Sequence, residues 1–116
     1  MKFPIIVLSY GEFSQTYKLF MYENNGISIL PIFYNPETII QFVKYMQNIL
    51  REFGDNRQLC PQVCNNKGMA NDMFKVISSM CQESIAIAID PLIIDNKIEC
   101  EMIDIDVVID QIDGVI

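Results

Sequence analysis

The chain has 116 residues, 51% of them apolar, and a formal charge of −7. That length makes one domain able to bury a modest core without disulfides or metals, and the apolar content excludes a disordered chain. No apolar run approaches the ~20 residues of a membrane-spanning helix, and no basic stripe offers itself to nucleic acid.

The opening Met-Lys-Phe-Pro-Ile-Ile-Val-Leu stops at Ser9-Tyr10-Gly11-Glu12, too short an apolar region for a signal peptide. A cytoplasmic protein with reduced thiols is expected. Residues 3–8 read as a strand, with Pro4 at its start or on an edge. Tyr10-Gly11-Glu12 makes a turn. Residues 15–23 alternate: Tyr17, Leu19 and Met21 on one face, Thr16, Lys18, Phe20 and Tyr22 on the other. Asn25-Gly26 supplies the positive φ values of a tight hairpin, and residues 27–33 return as a third strand interrupted by Pro31.

The first helix follows. Asn35 can cap it and Pro36 suits its first position. Ile39, Phe42, Val43, Met46, Ile49, Leu50 and Phe53 form one apolar stripe, and Gly54 stops the helix. Residues 55–66 read as a loop, with a short strand around Leu59 to Val63. A second helix over 69–83 carries Ala70, Met73, Phe74, Ile77, Met80 and Cys81 on its apolar face. Residues 84–90 form a strand closed by Pro91, and 97–103 form another. Ile105, Val108, Ile109 and Ile112 then have helical spacing, with Asp104 as cap and Gly114 as stop. One long strand with a bulge at Met102-Ile103 is the alternative; the helix is preferred. The order βββ-α-(β)-α-ββ-α predicts an α+β domain, a single mixed or antiparallel sheet packed by two main helices.

The stretch Leu30-Pro31-Ile32-Phe33, followed by a turn and an amphipathic helix, and the later apolar strand ending in Asp90-Pro91, resemble the SseB-like (enhanced serine sensitivity) family, its N-terminal domain in particular. Asp90 stands where that family usually has Asn. The resemblance implies an α+β module with no established catalytic residues.

Four cysteines invite metal or thiol chemistry. Cys60 and Cys64 in CPQVC furnish half a zinc site, or a redox pair if Pro61 begins a helical turn. Cys81 and Cys100 are nineteen positions apart and each reads as a core residue, and no histidine exists to complete a site. An ordinary loop over two thiols is the preferred reading. The missing histidine also removes the usual Ser-His-Asp and Cys-His catalysts. Glu99 and Glu101 on one strand face, with Asp104 and Asp106 close behind, can hold a divalent cation or simply face water at a helix start.

Residues 1–89 carry equal numbers of acids and bases, whereas 90–116 carry eight acids and one base, Lys97. The first third gathers Tyr10, Phe13, Tyr17, Phe20, Tyr22, Phe33 and Tyr34. Phe20 and Tyr22 are either an exposed interface or a covered core. The leading expectation is a non-catalytic, cytoplasmic protein-interaction or regulatory module without a cofactor. It meets a protein partner or a second copy of itself through Phe20, Tyr22, Glu99, Glu101, Asp104 and Asp106. The alternative is a metal or thiol-redox protein using Cys60 and Cys64.

Overall fold

A computed structural model describes residues 2–11, 19–80 and 84–113, with Asp113 by its backbone alone. The elements are β1 (Ile5–Tyr10), β2 (Tyr22–Asn24), β3 (Ile27–Ile32), α1 (Pro36–Glu52), β4 (Leu59–Cys64), α2 (Lys67–Met80), β5 (Ile85–Ile94), β6 (Lys97–Asp104) and α3 (Ile105–Asp113). The fold is α+β, in the element order expected. Within it, the expected single sheet divides in two. β2-β3-β5-β6 form a four-stranded sheet, with β3 and β5 parallel and the other neighbours antiparallel. β1 and β4 form an antiparallel pair of their own, joined to the larger sheet by backbone bonds between Ile6 and Phe33.

The division follows from burial. β1 is apolar on both sides: Ile5 and Val7 join one core, Leu8 the other. A strand buried on both faces sits between two cores rather than at the rim of one sheet. Residues 59–64, read as a loop with a short strand, are a full partner for it, and Pro61 falls on an edge where its missing N–H is tolerated.

Both hairpins use left-handed residues. Asn25 and Gly26 (φ 54° and 79°) turn β2 into β3, as expected. Asp95 and Asn96 (φ 52° and 59°) turn β5 into β6. The latter pair explains why Pro91 does not close its strand. β5 runs on to Ile94 after a bulge between Ile89 and Leu92, where Asp90 adopts φ 43°. Asp90 Oδ1 accepts from the N–H groups of Tyr34 (2.9 Å) and Asn35 (3.2 Å) and from Thr38 Oγ1 (3.2 Å). A carboxylate thus ties the bulge to the start of α1, where the helix dipole favours it.

Asn35 caps α1 through Glu37 N–H, and Gly54 leaves it at φ 82°. Phe53, assigned to the helix's apolar stripe, is instead 83% exposed. The helix ends at Glu52, and Phe53 has already left the helical path at ψ 9°. Met80, placed on the inner face of α2, is exposed in its last turn. α3 is a helix, not the tail of a bulged strand: Asp104 Oδ1 accepts from Asp106 N–H at 2.9 Å, and Ile105, Val108 and Ile112 are buried. Of the earlier assignments, Glu12, Phe13, Thr16, Tyr17, Lys18, Cys81 and Gly114 lie outside the described residues.

Two cores result, one on each side of the large sheet. α2 and α3 cover Leu30, Ile32, Ile85 and Ile87, with Phe74 fully buried in the same cluster. α1 covers an aromatic cluster in which Phe42 meets Phe33 (5.4 Å between centroids), Phe20 (6.2 Å) and Tyr22 (6.0 Å).

Candidate binding groove

The α1 side is not fully covered. The second half of α1 passes over the sheet and leaves a groove of about 790 Å³ between itself, β2 and β6. That volume suits a small ligand or a few side chains of a partner. Tyr45, Met46 and Ile49 form one wall; Tyr22, Ile98, Cys100 and Met102 form the floor and far wall; Glu23, Asn24, Asn96, Lys97 and Glu99 stand at the rim. Each is placed by local structure. The β2–β3 hairpin presents Tyr22. The Asp95-Asn96 turn brings β6 back with Ile98, Cys100 and Met102 on the α1 side, as strand alternation requires. Tyr45 Oη donates to Asn96 O at 2.8 Å, pinning α1 to that turn.

Tyr22 and Cys100 meet in the groove. Burial, reinforced by the neighbouring Cys100 thiol, holds the Tyr22 pKa far above the ordinary phenol range. Burial also pushes the Cys100 thiol up, with Tyr22 acting against it. At one end Tyr10 stacks edge-on against Phe20 (5.7 Å) and carries the Arg57 guanidinium on its ring face at 3.9 Å. Arg57 is held by Asp55 at 2.8 Å. Burial raises the Tyr10 pKa, against the pull of Arg57.

The residues singled out from sequence fare differently. Phe20 is covered, only 2% exposed, because α1 crosses directly above it. Its ring shapes the end of the groove but cannot act as an exposed contact. Tyr22 is half-buried and does reach the groove. Glu99 stands at the rim, and Glu101, Asp104 and Asp106 are exposed beyond it. Glu99 and Glu101 do share one side of β6, opposite Leu92 and Ile89. Asp104 and Asp106 serve the start of α3, where Asp106 also accepts from Ser78 Oγ at 3.3 Å. Among the described residues no three acids or cysteines converge on a point where a metal could bind.

Cys60 and Cys64 lie on one extended strand, not a helical turn. Four residues of strand set them about 13 Å apart, beyond a disulfide or a shared ion. Cys64 is in the α2-side core, and burial pushes its thiol up, the opposite of an activated cysteine. Cys60, Cys64 and Cys100 are all free.

Sequence reasoning missed Tyr45, Asn96 and Cys100 as groove residues. Asp95-Asn96 was the available signal, since two residues that tolerate positive φ between apolar runs mark a hairpin. Cys100 was assigned to the core, and nothing in the sequence says that α1 stops short of it. No protein-family model matches the chain, and no curated protein matches it. Among the described residues no helix is long and apolar enough to cross a membrane.

Proposed function

We propose that the protein is a small, non-catalytic interaction module of the cytoplasm. It works through protein contact, with a partner or a second copy of itself, and the α1–β2–β6 groove receives an apolar side chain flanked by basic residues. The observation that carries this reading is the groove's make-up: aromatic and aliphatic walls bordered by two edge strands that carry Glu23 and Glu99 and one base, Lys97, on their outer faces. The surplus of acid over residues 90–116 extends beyond it along β6 and α3. Such a field speeds and orients the approach of a basic segment, while the apolar walls supply affinity. Relationship to the SseB-like family remains part of the proposal. It is supported by the way its motif positions meet: Asp90-Pro91 lies beside Leu30-Pro31-Ile32-Phe33, where β3 ends, and Asp90 bonds the next two N–H groups.

The test is to pan a displayed library of linear peptides against the chain. Enriched peptides should place Lys or Arg beside an aliphatic or aromatic residue, and should weaken with added salt. Met102, half exposed in the groove wall, is the point to block. Peptides without basic enrichment, or peptides whose binding ignores both salt and Met102→Lys, would count against the proposal.

A further inference from the structure

β4 has one open side. On β1's far edge, Ile6 N–H donates to Phe33 O (2.9 Å), Phe33 N–H donates to Ile6 O (2.8 Å), and Leu8 O accepts from Phe20 N–H (2.8 Å). The even residues of β1 therefore direct their backbone away from β4. Ile5, Val7 and Ser9 are left to bond Cys64, Gln62 and Cys60. Alternation then turns the backbone groups of Leu59, Pro61 and Val63 outward, as Pro61's missing N–H also requires. Among the described residues no strand pairs with that edge.

Both sides of the edge are grooved. Toward α1 a depression of about 460 Å³ holds Ile40, Val43, Lys44, Arg51 and Pro61 among its lining, with two bases and no acid. Neither Lys44 nor Arg51 is in an ion pair among the described residues. Ile40 is 70% exposed there. Toward α2 a second depression of about 270 Å³ is mostly apolar, bounded by Val63, Met69, Met73 and Val76, with Asp72 and Gln62 also in its lining; Asp72 disfavours an acidic side chain on this side. Val63 and Met69 are both more than half exposed. A strand added to the edge would send alternate side chains to these two sides.

We propose that the outer edge of β4 accepts an extended acidic–apolar segment of a partner protein as a third strand. Its acidic side chains meet Lys44 and Arg51, and its apolar ones settle among Val63, Met69 and Val76. The charge preference is the reverse of that of the α1–β2–β6 groove, so the two sites take different segments and stand or fall separately. Pro61 limits the pairing to a short stretch, because the edge offers N–H groups only at Leu59 and Val63. The same proline discourages open-ended pairing between copies of the chain.

The probe is a capped octapeptide of alternating glutamate and valine, titrated into the isotopically labelled chain and followed by NMR. The amides of Leu59 and Val63 should shift and exchange more slowly with solvent. A peptide N-methylated at alternate residues should not produce the effect, and neither should a lysine–valine octapeptide. Lys44→Gln with Arg51→Gln should weaken binding about tenfold with little change in melting temperature, since both side chains sit at the surface. The proposal fails if the β4 amides do not respond, or if the N-methylated peptide binds as well as the parent. It also fails if the same amides shift with protein concentration alone, which would make the occupant a second copy.

Discussion

On the α2/α3 side of the four-stranded sheet, Leu30, Ile32, Ile85 and Ile87 are all but inaccessible. On the α1 side of the same sheet, Tyr22 and Cys100 are half-buried and Met102 is half exposed. The difference begins in β5, which reads Ile85-Ala86-Ile87-Ala88-Ile89. Its isoleucines point to α2 and α3, and its alanines to α1. Two helices over large side chains fill their layer. One helix set close over alanines covers only the width of its own contact, and the margin becomes a groove. A sheet can thus have one face sealed and one left partly open, written as alternate residues of a single strand.

The strongest challenge to this contrast is Phe74→Ala. Phe74 is fully buried in the sealed core. Truncation removes its transfer free energy and leaves a cavity, so unfolding in denaturant should show a loss of about 3–5 kcal/mol. A loss below about 1 kcal/mol would mean that α2 collapses freely onto the sheet, and the face would not be the rigid one claimed.

A smaller effect probes the other face. Ala88 is buried on the α1 side, where β5 and α1 pack together. Ala88→Leu should cost about 1–3 kcal/mol by forcing α1 outward. It should also widen or distort the groove, and so weaken any peptide selected against it. If Ala88→Leu were neutral in denaturant unfolding, α1 would not be seated on the alanines and the groove's shape would need another cause.

Much of this contrast was legible beforehand. The alternation of Leu19 and Met21 against Phe20 and Tyr22 does separate the two cores: the first pair packs on the α2 side, the second on the α1 side. The caps at Asn35 and Asp104 and the stop at Gly54 are local chemistry, and local chemistry is what a sequence states directly. The pairing of β1 with β4 was not legible, because it joins segments some fifty residues apart and no local pattern encodes the partner. Nor was the run of β5 past Pro91. A proline in an apolar run reads as a strand end, whereas Pro91 lies inside a bulge whose Asp90 carboxylate is held at the start of α1. The groove was hidden for the same reason: its residues come from α1, β2 and β6, and only tertiary packing brings them together.

The gentlest probe of the comparison is alkaline pH, which reads one thiol from each face. Cys64 belongs to the sealed core and Cys100 to the groove, and burial raises both above the ordinary thiol value. Each holds its proton more tightly folded than unfolded. The resulting stability is complete below the unfolded thiol value, about pH 8.5, and is lost as pH rises through the higher folded values. Tyr22 continues the loss further into the alkaline range, since its phenol is also raised by burial and by the thiol beside it. Unfolding free energy should therefore stay level with respect to these groups up to about pH 8.5 and then decline. The two thiols should part company under a small alkylating reagent. Cys100 opens to solvent through the groove and should label in the native state, while Cys64 should wait for unfolding. Tyr22→Phe removes the hydroxyl that eases the loss of Cys100's proton, so its labelling should slow and its onset move to higher pH. Equal labelling rates for the two cysteines in native protein would erase the distinction between the faces at the one place where the same chemical group reports on both.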